Sequence, residues 1–128
     1  MLFRYSFTVP ADTLPTDPVE LYCELTHGVI TGVWVGFPRG CAGMVNVRIF
    51  RHEHQVWPTN LGEALAWDNY VFQTDVPYEL FQPPYQVLIR ADSPDTCYPH
   101  EIMVAFELST TPLNWWQGLI SSVFGGGE

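Results

Sequence analysis

The nearest approach to a metal site in this chain is the stretch RHEHQ, residues 51–55. His52 and His54 are two positions apart, so on a strand both would point the same way. Glu63 and His100 would complete a nitrogen–oxygen set of the kind zinc takes. Surface histidines in a hairpin are the plainer reading. His52, His54 and His100 are therefore the only metal candidates, and no cofactor is expected. Cys41, between glycines in PRGCAGM, could present a thiol, but no histidine or basic residue adjoins it to stabilise the thiolate. Asp92 and Asp95 in DSPDT lack the dense alternation of oxygen ligands that marks a calcium loop. No catalytic constellation emerges, and the chain reads as non-enzymatic.

Three tryptophans suggest a different chemistry. Trp34 projects opposite a row of valines, and Trp57 and Trp67 lie in or beside turn-rich stretches. Aromatic platforms on a β-sandwich can stack sugar rings while acidic loops accept the hydroxyls, which makes a carbohydrate-binding module the alternative function. Against it stands the usual use of large aromatics, filling core edges and interfaces.

The charge balance removes other classes. Fourteen acids face five basic residues, all of them arginine, for a net charge of −9. Neutralising phosphates takes clustered cations, and only Arg48 and Arg51 lie close together. Neither nucleic acid nor an anionic membrane is an expected partner. Arg4 and Ser6 interrupt the apolar run at the N-terminus, so no signal peptide is expected. Three scattered cysteines, Cys23, Cys41 and Cys97, do not make a disulfide framework.

The elements that must position these residues are strands. Hydrophobic residues make up 47% of the chain, and eleven prolines and ten glycines break it into short pieces. Period-two patterns run through LFRYSFTV, VELYCELT, VITGVWVGF, VNVRIFR and EIMVAFEL. In VITGVWVGF, Val29, Val33, Val35 and Phe37 share one side, with Trp34 opposite. YQVLIRA is apolar on both faces in part and reads as a central strand. Weaker strands near Gln55–Trp57 and Tyr70–Gln73 bring the total to about eight. The expectation is an all-β fold: a two-sheet antiparallel β-sandwich, jelly-roll or immunoglobulin-like, over residues 1–109.

Residues 110–128 form a separate C-terminal segment. Thr111 can cap a helix and Pro112 suits its first position. Over the next thirteen residues Leu113, Trp115, Trp116, Leu119, Ile120, Val123 and Phe124 fall on one half of the helical wheel. Asn114, Gln117, Gly118, Ser121 and Ser122 fill the other half. The polar half lacks the lysines and arginines that would anchor it to a membrane. An amphipathic helix this short needs a surface to pack on, so these seven apolar residues are the expected partner-binding set.

The opener FTVPADT, the strands culminating in GCAGMVNVRIFRHEHQVWP, and the tail PLNWWQGLISSVF together resemble the small β-sandwich decoration, or cement, proteins on capsids of tailed phages and related double-stranded DNA viruses. The likeness is one of architecture. It implies a non-enzymatic virion protein, made in the host cytoplasm without a signal peptide. Such a protein sits on the capsid surface, binds the major capsid protein or other virion subunits, and forms a homo-oligomer, a trimer before other states.

Overall fold

A computed structural model of the chain describes residues 1–60, 62–75 and 77–109. Its nine strands are β1 (Leu2–Val9), β2 (Val19–Glu24), β3 (Gly28–Phe37), β4 (Asn46–Arg51), β5 (His54–Trp57), β6 (Tyr70–Thr74), β7 (Tyr78–Leu80), β8 (Gln86–Asp92) and β9 (His100–Ser109). They form two antiparallel sheets. One has five strands in the order β1-β9-β3-β6, with β7 also paired to β3; the other runs β2-β8-β4-β5. The described residues contain no helix. The expected helix lies outside the described residues, as do Leu113, Trp115, Trp116, Leu119, Ile120, Val123 and Phe124.

The alternation written in the sequence is what joins the sheets. Val33, Val35, Val104 and Phe106 of the five-stranded sheet bury in the same cluster as Val47, Ile49, Val87 and Ile89 of the four-stranded one. Each such side chain contributes about 1.5–3 kcal/mol on full burial, so the shared core makes the arrangement sandwich-like. β8, apolar on both faces in part, lies inside its sheet between β2 and β4 as its pattern implies.

Two details depart from the simple pattern. The described residues form nine strands rather than about eight, because β6 and β7 pair with consecutive parts of β3, against Val33–Phe37 and Gly28–Ile30 respectively. Pro77, which has no N–H to donate to a ladder, lies between them. The second departure is in β3. Its register against β9 shifts between Ile30, opposite Leu108, and Gly32, opposite Glu107. The extra residue, Thr31, donates its hydroxyl to Glu107 O at 3.2 Å. A bulge of one residue reverses the inside–outside parity. Ile30 therefore joins the cluster between the sheets, while Val29, which opposes Ser109, is buried outside that cluster.

Candidate functional site

With the inner faces assigned, the registers fix what the five-stranded sheet presents outward. Arg4, Ala105, Trp34 and Gln73 form one cross-strand row, and Ser6, Met103, Gly36 and Val71 form the next. Leu2 opposes Glu107, which opposes Gly32. The result is a shallow, mostly apolar depression of about 430 Å³ whose lining includes Leu2, Trp34, Val71, Met103 and Ala105. Leu2 and Val71 are exposed.

Two glycines shape this face. A Cβ placed at Gly32 would lie 2.9 Å from Trp34 Cη2 and 3.2 Å from Cζ3, so the indole lies across the bare backbone there. A Cβ at Gly36 would lie 3.2 Å from Met103 Cε. Any larger residue would lift these side chains, and a flat apolar surface would become a ridged one. Its charged margin is Arg4 and Glu107, the latter 3.6 Å from the Met1 amino group.

The other tryptophans are placed differently. Trp57 is only 6% exposed and packs edge-on against Tyr78 at 5.7 Å between ring centroids, inside the core cluster. Trp67 is 41% exposed; it stacks on Phe72 at 5.3 Å and tilts against Tyr70 at 5.4 Å. The three indoles thus serve three settings, and no common platform joins them.

The histidines are not brought together either. His52 and Glu53 are the two central residues of the β4–β5 hairpin, both at left-handed φ, 54° and 63°. That is the signature of a type I′ turn. His52 therefore lies in a turn rather than beside His54 on one face of a strand. His100 belongs to the other sheet, where Nε2 is 3.1 Å from Gly40 O and the ring tilts against Tyr98. Glu63 contributes its backbone carbonyl, not its carboxylate, to Gln55 Nε2 at 3.1 Å and Arg48 Nε at 3.1 Å. Among the described residues no group of three histidine, cysteine or acidic side chains is disposed to hold a metal.

Cys41 and Asp92 also resolve into structural roles. The loop carrying Cys41 is held by Asp68, whose Oδ1 accepts from Gly40 N and Ala42 N, each at 2.8 Å. Those two bonds, chiefly that from Ala42, hold the Asp68 carboxyl below the usual value. Burial, then the Asp68 charge, raises the Cys41 thiol, the opposite of what a nucleophile needs. Burial pushes Cys23 up to about 12. Asp92 is buried and accepts from Asn46 Nδ2 at 2.9 Å and Arg48 Nη1 at 3.1 Å, which ties β8 to β4.

No known family model matches the chain, and no curated protein matches it in sequence.

Proposed function

We propose that the chain is a non-enzymatic virion structural protein, a capsid decoration protein that binds neighbouring capsid subunits and stabilises the shell. The observation that carries the reading is the flat apolar outer face of the five-stranded sheet. A surface bearing Leu2 and Val71 in the open, with Trp34 and Met103 laid flat beside them, suits packing against another protein. The residues at 113, 115, 116, 119, 120, 123 and 124 supply a second apolar surface in sequence.

The strand order adds support. With β6 and β7 counted as one interrupted strand, we read 1-9-3-6 over 2-8-4-5 as a jelly roll. Viral capsid domains use that architecture repeatedly; as fold analogy it supports the reading without carrying it. An acidic, lysine-free exterior suits a protein that must not bind the packaged genome. In this reading the chain assembles as trimers on the capsid surface and grips the major capsid protein through the outer face and the C-terminal segment.

The test uses Val71→Asp in the full chain, since Val71 is exposed on an edge strand and its replacement should leave the fold intact. Particles from the producing virus are imaged and their protein content quantified. The wild-type chain should be present in multiples of three per local symmetry axis, and the variant should fall below about a tenth of that occupancy, a loss of about 1.4 kcal/mol or more per site. A chain absent from particles, or a variant present at full occupancy, refutes the proposal.

A further inference from the structure

The four-stranded sheet carries an outward-facing cleft to which no role has been assigned above. Tyr22, Leu88 and Phe50 lie in one cross-strand row, on β2, β8 and β4. Leu88 is buried and forms the floor. Tyr22 and Phe50 rise on either side, two strand spacings or about 10 Å apart at the backbone. The Phe50 ring is already covered: Arg90 Cζ sits 4.7 Å from its centroid, held there by Arg90 Nε donating to Glu20 Oε2 at 2.6 Å. Tyr22, 56% exposed, is the wall left open.

Arg51 closes one end. It is only 5% exposed, yet no carboxylate among the described residues lies within ion-pair distance of it. Its Nη2 donates to Gln82 O at 2.6 Å and its Nη1 to His52 Nε2. These contacts occupy two of the five N–H donors of a guanidinium. A buried cation without a counter-ion is costly, and breaking or omitting one member of a buried pair is strongly unfavourable. Arginine's planar fork matches a carboxylate bidentately. Arg51 lines the end of an aromatic-walled slot, and the two contacts leave three of its N–H donors for an anion.

The remaining lining discriminates between anions. Gln86 and Glu53 add an amide and a carboxylate to the rim, groups that pair with hydroxyls. Inorganic phosphate would leave Tyr22 and Leu88 unused. A ring with one apolar face, several hydroxyls and a carboxylate uses every wall. The cleft is about 140 Å³, well below the roughly 300–1,000 Å³ of pockets that enclose drug-sized ligands. That size fits one ring, not the interior of a chain.

We infer that this cleft binds a single terminal acidic sugar, with its ring against Tyr22 and Leu88 and its carboxylate on Arg51. The net charge of −9 does not forbid this, because fields from distant exposed acids are screened beyond about 8 Å at physiological salt. Arg51 is then the strong charge of opposite sign left for the ligand, since Arg90 is paired with Glu20. The site is independent of the capsid reading and would stand on any assembly that carries the chain.

The full-length protein is titrated with methyl glucuronide, methyl sialoside and methyl glucoside, with amide chemical shifts as the readout. At least one acidic saccharide should saturate with shifts centred on Tyr22 and Leu88, and the glucoside should bind at least tenfold more weakly. Tyr22→Ala, an exposed position outside the core, should lose tenfold or more with an unchanged melting temperature. Arg51→Met should remove the preference for the acid. If that variant does not fold, the glucoside comparison and Tyr22→Ala still decide. Absence of saturation by both acidic probes at millimolar concentration overturns the inference. So does equal binding of the glucoside, or full binding by Tyr22→Ala.

Discussion

Replacing Gly32 tests how the flat outer face is built. A Cβ at Gly32 would stand 2.9 Å from Trp34 Cη2, so the indole must rise by about half an ångström to reach ordinary contact. The backbone does not resist, because Gly32 is not among the positions with left-handed φ. Alanine in a strand gains about 0.5–1 kcal/mol over glycine. Lifting the indole re-exposes part of a side chain that buries about 150–250 Å². If a quarter of it is uncovered, roughly 50 Å² at 25 cal/mol per Å² costs about 1.2 kcal/mol. The two effects nearly cancel, so Gly32→Ala should change stability by less than about 1 kcal/mol while moving the ring. Valine adds two more methyls, forces the indole off the sheet, and should cost about 2–3 kcal/mol. Urea unfolding gives the stabilities, and fluorine NMR of fluorotryptophan-labelled protein reports the ring. If Gly32→Val is as stable as wild type and the Trp34 resonance does not move, the indole does not lie on this glycine and the face is not built as described.

Two further outcomes follow from the thiols and from Asp68. Of the three cysteines, exposed Cys97 alone should react with a thiol reagent in the native state at pH 8. Cys23, pushed up to about 12 by burial, and buried Cys41 should react only on unfolding, and a native titre near three would contradict that burial. The Asp68 carboxyl is lowered by bonds made in the folded state. Its stabilisation is therefore present above its unfolded value of 3.8 and lost as pH falls through the lower folded value. Asp68→Asn, which keeps an acceptor oxygen but does not titrate, should flatten that acid limb in thermal melts, and an NMR titration placing Asp68 at or above 3.8 would reject the cause given.

Much of the scaffold was legible because its signals are local. Alternation in LFRYSFTV and EIMVAFEL needs only a wet face and a dry face, and β1 and β9 follow it residue by residue. What escaped was set by partners distant in sequence. β7 is three residues long and has meaning only as the continuation of β6 along β3. The bulge at Thr31 is visible only once Glu107 is known to lie opposite, and it brings Ile30 into the core cluster beyond the residues that simple alternation selects. The plainer reading of RHEHQ, surface histidines in a hairpin, agrees with the turn at His52 and Glu53, although neither residue is the glycine or asparagine that usually marks one. The trough depends on Gly32 and Gly36 lying beneath long side chains, and nothing in the bare spacing announces that. The sequence shows Arg51 only as a neighbour of Arg48, not as a buried cation. Its buried position is held by the carbonyl of Gln82, a residue 31 positions away.

The order of the strands also dictates when the protein can fold. Among the described residues β1 pairs only with β9, with Leu2 opposite Glu107, and β2 pairs only with β8. β1 and β2 therefore leave the ribosome well before β8 and β9 and must wait for them unpaired. At about 5–20 residues per second that wait lasts several seconds or more. During it, the edges of β1 and β2 are open templates for other chains, and the pairing that ends it is long-range and intrinsically slow. A cell making many copies at once would have nascent chains side by side in this state. Translation rate and chaperone supply, rather than the stability of the finished fold, would then govern the yield of native protein.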